Sequence, residues 1–115
     1  MAVKIYGIKN CDTMKKAFTW LEAKGVDYEF HDYKKAGVPV DRVKGWFKRA
    51  GWEALVNTRG TTFKKIPDAE KAALDEARAL KLVEKYPSAI KRPVVEAGAK
   101  LLVGFDAESF SRELR

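Results

Sequence analysis

The chain has 115 residues, a composition that is 46% hydrophobic and 34% charged, and a formal net charge of +7 at pH 7. This length and composition indicate one domain, spanning residues 1–115, that buries its own core, and the single cysteine excludes an internal disulfide. No apolar run approaches the roughly 18 residues of a membrane span, and the lysines are scattered rather than clustered with aromatic residues, so we expect a cytoplasmic protein that binds neither membrane nor nucleic acid.

Hydrophobic periodicity predicts a strand, a helix and a second strand at the start of the chain. The residues that indicate the first strand are Val3, Ile5 and Tyr6. A helix follows and stops at Gly25, with apolar residues at helical spacing: Met14, Ala17, Phe18 and Leu21. Aromatic and charged residues alternate over 26–31, which is typical of a strand. The βαβ unit formed in this way prefers parallel strands and a right-handed crossover.

Helical patterns fill the middle of the chain. Apolar residues at helical spacing predict a second helix at Val40, Val43, Phe47 and Ala50. A short helix is indicated over 52–56. Residues 68–86 have the alanine, leucine, glutamate and lysine content of one long helix or two short ones.

Strand signals return toward the end of the chain. Residues 93–97 and 100–104 flank Gly98 and predict a hairpin. Asp106 can cap a final helix. The resulting order of βαβ, helices and ββα predicts an α/β fold with a mixed four-stranded sheet, which is the arrangement of glutaredoxin and thioredoxin domains.

Cys11 lies between the first predicted strand and the first predicted helix. The unpaired N–H groups of a helix's first turn carry partial positive charge, which favours a thiolate over a thiol. Lys9, Lys15 and Lys16 can add to the same field. A lone cysteine is also often a small buried hydrophobe, so the local sequence leaves both interpretations open. If the cysteine is reactive, we expect it to be exposed, with a pKa below the free value of about 8.5.

Three parts of the chain resemble the arsenate reductase (ArsC) family: residues 6–13 (YGIKNCDT), residues 57–60 (NTRG), and residues 90–95 (IKRPVV) with 102–105 (LVGF). Their order and spacing extend the resemblance over essentially the whole chain. It is closest to a small branch represented by the YffB proteins, and the scaffold is also similar to the Spx transcriptional regulators. The resemblance implies a thioredoxin-like fold with an inserted helical subdomain over roughly 38–86.

The resemblance also implies a catalytic cysteine. Cys11 matches the family's nucleophile, which attacks an oxyanion and then accepts glutathione. Asn10 and Thr13 are expected to orient the turn around it. Because the chain has one cysteine, an adduct on that sulfur has to be released by a second thiol-bearing molecule.

Two arginines and a proline complete the implied site. Arg59 and Arg92 match arginines that line the family's pocket, and a guanidinium suits the geometry of an oxyanion or a carboxylate. Pro93 matches a cis-proline that shapes the wall of the site. Taken without the family, an Arg-Pro pair is more typical of a surface turn than of a functional site.

Two departures from the family pattern bear on the substrate. The arsenate reductases carry a histidine four residues before the nucleophile, where this chain has Gly7, and a third arginine in the last hairpin, where it has Gly104. Both departures remove positive charge, whereas arsenate near neutral pH is a dianion that needs several charged donors. We therefore expect a glutathione-dependent thiol reductase that acts through a mixed disulfide, with glutathione-dependent arsenate reduction as the alternative.

The similarity to Spx supplies an alternative of another class, a regulator that docks on RNA polymerase. Those regulators commonly carry a C-x-x-C switch, and this chain has Met14 in place of the second cysteine. The shared scaffold keeps this alternative open. One cysteine and His31 are too few ligands for a zinc site, so we expect no metal. We also expect no bound cofactor. The protein is expected to be a monomer that uses glutathione as a co-substrate.

Overall fold

A computed structural model describes residues 3–114. The strands are β1 (Val3–Gly7), β2 (Tyr28–Asp32), β3 (Val94–Ala97) and β4 (Lys100–Val103). The helices are α1 (Asp12–Ala23), α2 (Tyr33–Ala36), α3 (Val40–Ala50), α4 (Trp52–Leu55), α5 (Thr61–Lys65), α6 (Asp68–Lys71), α7 (Glu76–Lys85) and α8 (Ala107–Glu113). The chain forms two compact units, one from the segment up to Ala36 together with the segment from Arg92 onward, and the other from Gly37–Lys91.

The first unit is built on a four-stranded sheet with the order β2-β1-β3-β4. Strand β1 is parallel to β2 and antiparallel to β3, which forms the predicted hairpin with β4. The predicted α/β mixed sheet is therefore confirmed. This order leaves β2 at one edge of the sheet and β1, which leads to Cys11, in its interior.

One face of this sheet packs against α1 and α8 to form an apolar core. Side chains alternate between the faces of a strand, so Val3 and Ile5 point to the same side. The buried members of the cluster are Val3, Ile5, Met14, Ala17, Leu21, Val95, Ala97, Phe110 and Leu114. Burying a residue such as Leu21 contributes about 1.5–3 kcal/mol, which explains why the helical spacing identified this face of α1 correctly.

The opposite face of the sheet carries polar and aromatic side chains. The register places Tyr6 opposite His31 of β2, with ring centroids 5.3 Å apart. The Tyr6 hydroxyl donates a hydrogen bond of 2.7 Å to Glu96 Oε1. The two faces of the first unit therefore differ in chemistry.

The second unit is helical and includes the segment for which the sequence analysis expected an inserted subdomain. Helix α3 buries Val43, Trp46 and Phe47 and packs against α4 and α7. The segment before the NTRG turn is held by main-chain hydrogen bonds of 2.7 Å, from the Asn57 N–H to the Ala89 carbonyl and from the Lys91 N–H to the Leu55 carbonyl.

Residues 68–86 form two helices rather than one. The chain is interrupted at Ala73, whose φ of 53° lies in the left-handed region. Helix α7 is then capped by Asp75, whose side chain accepts a hydrogen bond of 2.8 Å from the Arg78 N–H. The short helices α2 and α5 were not predicted, because four or five residues carry too little periodic signal. Within residues 3–114, no helix is both long and apolar enough to cross a membrane.

Candidate active site

Cys11 is the N-cap residue of α1. Its backbone is extended, with φ −134° and ψ 132°, and its carbonyl accepts the first helical hydrogen bond from the Lys15 N–H at 2.9 Å. The side chain is half-buried, not exposed as predicted. The predicted position of the thiol at a strand-to-helix junction is confirmed, and its sulfur lies beside the free N–H groups of the first turn.

The surroundings of Cys11 favour its thiolate. Partial burial opposes ionisation, but the backbone N–H groups of Met14 and Thr13, which lie near the sulfur without forming a regular capping hydrogen bond, and the charge and hydrogen bond of the Arg92 guanidinium outweigh it. The pKa of the Cys11 thiol is therefore lowered from its ordinary value. This supports the reactive interpretation of the cysteine over that of an inert core residue.

The positive side chain that lowers this pKa is Arg92, and not the neighbouring lysines that the sequence analysis considered. Lys9, Lys15 and Lys16 are all exposed. Exposed charges are screened by water, whereas the half-buried Arg92 donates directly to the sulfur. Sequence proximity was therefore a poor guide to the charge that acts on the thiol.

Arg92 comes from the segment that enters β3. The Arg92–Pro93 peptide bond is cis, as predicted. Pro93 is buried, and its carbonyl accepts a hydrogen bond of 2.8 Å from the Gly104 N–H, which ties it to the end of β4. The hairpin thus holds the backbone from which the Arg92 guanidinium reaches Cys11.

The other predicted residues have different surroundings. Asn10 and Thr13 are exposed and flank Cys11 in the chain, and it is the main-chain N–H of Thr13 that acts on the sulfur. Arg59 is exposed in the turn before α5, in the second unit. Its role, and those of the Asn10 and Thr13 side chains, stay predictions.

The sequence analysis missed Tyr33 and Glu96, which belong to the polar face of the sheet. Tyr33 is 2% exposed, and within residues 3–114 its hydroxyl has no hydrogen-bond partner. Burial raises the pKa of Tyr33, and the charge of Arg92 opposes this effect, so the hydroxyl and the guanidinium share one electrostatic environment. A sequence signal for Glu96 did exist. Glu96 is two residues from Val94 on the same strand and therefore shares its face of the sheet, and Val94 pairs with Tyr6.

Two glycines stand where the family resemblance implies a histidine and an arginine. A Cβ on Gly7 would lie 2.7 Å from Cε of Met14, and closer still to its sulfur. Gly104 has a φ of +82°, a conformation that other residues adopt only with strain. A side chain at position 7 would therefore require the end of Met14 to move, and one at position 104 would require a strained backbone.

Comparisons with known proteins give matches over nearly the whole chain. The model of the ArsC family matches residues 6–112. A solved protein named YffB is 48% identical, with a TM-score of 0.95 over 98% of this chain and 99% of that one. An arsenate reductase (ArsC) related protein from Brucella melitensis is also 48% identical, with a TM-score of 0.77 over 100% of this chain and 96% of that one. The global transcriptional regulator Spx of Listeria innocua is 25% identical over 97% of this chain and 86% of its own length.

Proposed function

Because this chain belongs to the ArsC family, we propose that it is a thiol-dependent reductase that uses Cys11 as its nucleophile and glutathione as its co-substrate. The observation that supports this most is the set of donors around the sulfur: two backbone N–H groups and the Arg92 guanidinium. The thiolate is the reactive form in exchange with disulfides, so a site that stabilises it fits a reductase.

The proposed reaction has two exchange steps. The Cys11 thiolate attacks the glutathionyl sulfur of a mixed disulfide, a new S–S bond joins Cys11 to glutathione, and the substrate sulfur leaves as a thiolate that takes up a proton. A second glutathione thiolate then attacks the glutathionyl sulfur on Cys11, which releases glutathione disulfide and restores the Cys11 thiolate. The second step needs an external thiol because the chain has one cysteine.

Arg92 has a distinct part in each state of this cycle. It donates to the free thiolate, and in the mixed disulfide, where the sulfur is neutral, the same guanidinium suits a carboxylate of glutathione. Arg59, Asn10, Thr13 and Pro93 keep the substrate-binding roles that the family resemblance implies. We place the activity in the cytoplasm, where glutathione keeps thiols reduced.

Arsenate reduction is the second candidate, since the relative from Brucella melitensis is described as related to arsenate reductase. The two glycines argue against it here. A charged side chain at Gly7 would displace the fully buried Met14, and one at Gly104 would be strained. Fewer positive donors are therefore available to hold a dianion.

The regulator alternative rests on the likeness to Spx. Position 14, where those regulators commonly place the second cysteine, is occupied here by Met14, a 0% exposed member of the apolar core. A switch of that kind therefore has no counterpart in this chain, although a surface for docking a partner does not depend on it.

The decisive experiment treats the reduced protein with glutathione disulfide and reads the intact mass. We expect one glutathionyl adduct that is absent from Cys11→Ser, forms more slowly in Arg92→Ala, and forms at the normal rate in Arg78→Ala, an exposed arginine of α7. Arsenate turnover with glutathione is measured on the same samples. Efficient arsenate turnover would favour the second candidate, and an unreactive Cys11 in a folded protein that binds a stable partner would favour the regulator.

A further inference from the structure

A long groove in the first unit runs beside the edge strand of the sheet. It has a volume of about 600 Å³, and its lining includes all five residues of β2, Tyr28–Asp32. Phe18 of α1 forms an aromatic wall there, with its ring centroid 5.5 Å from that of Tyr28 and 5.0 Å from that of Phe30.

The identity of the lining residues determines where the groove lies. Successive side chains of a strand point to opposite faces of the sheet, so a cavity on one face would contact only alternate residues of β2. A groove lined by all five consecutive residues touches residues of both faces, which fits a position along the edge of the strand. Strand β2 is at the end of the strand order, so within residues 3–114 its outer side faces no other strand of the sheet.

The groove leads toward the active site. A second hollow, of about 280 Å³, shares Lys9, Asp32 and Lys35 with it and extends to Asn10, the residue before Cys11. The register points the same way, because the last residue of β2 pairs with Gly7, at the end of the strand that leads to the cysteine. The two cavities therefore form one path from the edge of the sheet to Asn10, the residue that precedes the nucleophile.

The charge along this path is not uniform. The hollow beside Asn10 is lined by Lys9, Lys34 and Lys35 against one carboxylate, Asp32, which already accepts a hydrogen bond of 2.9 Å from the Lys34 N–H. The hollow beside Asn10 therefore has an excess of positive charge, whereas the groove along β2 has an aromatic wall and two further carboxylates, Glu22 and Glu29. An occupant that matches both parts has anionic groups next to its sulfur and a chain with apolar side chains beyond it.

We propose that the groove binds an extended polypeptide segment that adds a strand to β2, so that the substrates of Cys11 are mixed disulfides between glutathione and a cysteine of a protein. This inference rests on the proposed function and specifies its substrate class. The five residues of β2 span about 16 Å, which is enough to pair with a partner strand of similar length. In the reaction, Cys11 takes the glutathionyl sulfur and the cysteine of the bound segment leaves as the thiolate.

The test compares glutathione mixed disulfides that share the same sulfur chemistry but differ in peptide length. The substrates are N-acetylcysteine amide and an octapeptide with alternating apolar residues, each joined to glutathione, and two versions of the octapeptide that are N-methylated on alternate amides. We expect kcat/KM for the octapeptide to exceed that for N-acetylcysteine amide by about tenfold, a factor worth about 1.4 kcal/mol. N-methylation of one set of alternate amides should abolish this gain and the other set should preserve it, because a strand pairs through every second residue on one side.

Two protein variants and a binding measurement complete the test. Lys35→Glu should reduce kcat/KM for an octapeptide with an acidic residue next to its cysteine, whereas Lys64→Glu, an exposed lysine of α5, should not. A cysteine-free version of the octapeptide should shift the amide resonances of residues 28–32 in Cys11→Ser protein. Equal kcat/KM for short and long substrates, with no effect of N-methylation, would overturn this inference and leave the reductase intact. If no disulfide reacted, including glutathione disulfide, the proposed function itself would fail, and this substrate class with it.

Discussion

Introducing a side chain at Gly7 should destabilise the protein through Met14. The Cβ of an alanine at this position would overlap the thioether of Met14, which is 0% exposed and belongs to the core beneath α1. Overpacking of this kind costs about 1–3 kcal/mol. Met14 is flexible, so the lower half of that range applies if its terminal atoms can turn away.

A double-mutant cycle tests this contact. Met14→Ala alone removes a buried side chain and should cost about 2–5 kcal/mol. In the double variant with Gly7→Ala, the new methyl group enters the space that Met14 vacates. The destabilisation of the double variant should therefore be about 0.5–3 kcal/mol smaller than the sum of the two single destabilisations. The free energy of unfolding is measured by urea titration with an unchanged m-value. Gly45→Ala is the control, because a Cβ at that position of α3 meets no atom within 4 Å. Strict additivity of the Gly7 and Met14 variants would refute the claim that packing keeps position 7 free of a side chain.

Three further outcomes follow from the structure. Arg92→Ala should move the pH profile of iodoacetamide alkylation at Cys11 to higher pH, because the charge and hydrogen bond of Arg92 favour the thiolate. An unchanged profile would assign the activation of the thiol to the helix alone. Tyr33→Phe should leave the free energy of unfolding unchanged or raise it by about 1–3 kcal/mol, since the buried hydroxyl that it removes has no partner among the described residues. A clearly lower melting temperature of the variant would contradict this. Asp75→Ala should cost about 0.5–2 kcal/mol in urea unfolding through loss of the cap on α7, whereas substitution of the exposed Asp41 by alanine should cost less.

The reductase proposal and the groove depend on different parts of the same unit. The thiolate is stabilised by the first turn of α1 and by Arg92, whereas the path for a peptide is formed by β2 and the loop that joins β1 to Cys11. Variants at Lys35 can therefore change the choice of substrate without altering the pKa of the sulfur. This separation allows a failure of the groove inference to be distinguished from a failure of the reductase proposal on which it rests.

Local patterns in the sequence were sufficient to predict most elements of the first unit. The core face of α1 and the neighbouring strands were predictable because the residues that they bury recur with the period of a helix or a strand. The hairpin was predictable from Gly98, whose φ of +62° suits the turn. The position of Cys11 at a helix start was predictable for the same reason, because strand and helix signals meet there. The break between α6 and α7 was left open, since the local composition favours helix on both sides of Ala73.

The family resemblance named Arg92 as a pocket residue, but only the tertiary structure showed that its charge acts on the sulfur and where the edge groove lies. Arg92 reaches Cys11 because β3 pairs beside β1, and local periodicity could not rank it above lysines that are nearer in the chain. The groove depends on β2 being an edge strand, which is a property of strand order. Side-chain periodicity reports which residues are buried, because burial is a local free-energy term, but strand order and contacts between distant residues depend on the packing of the whole sheet.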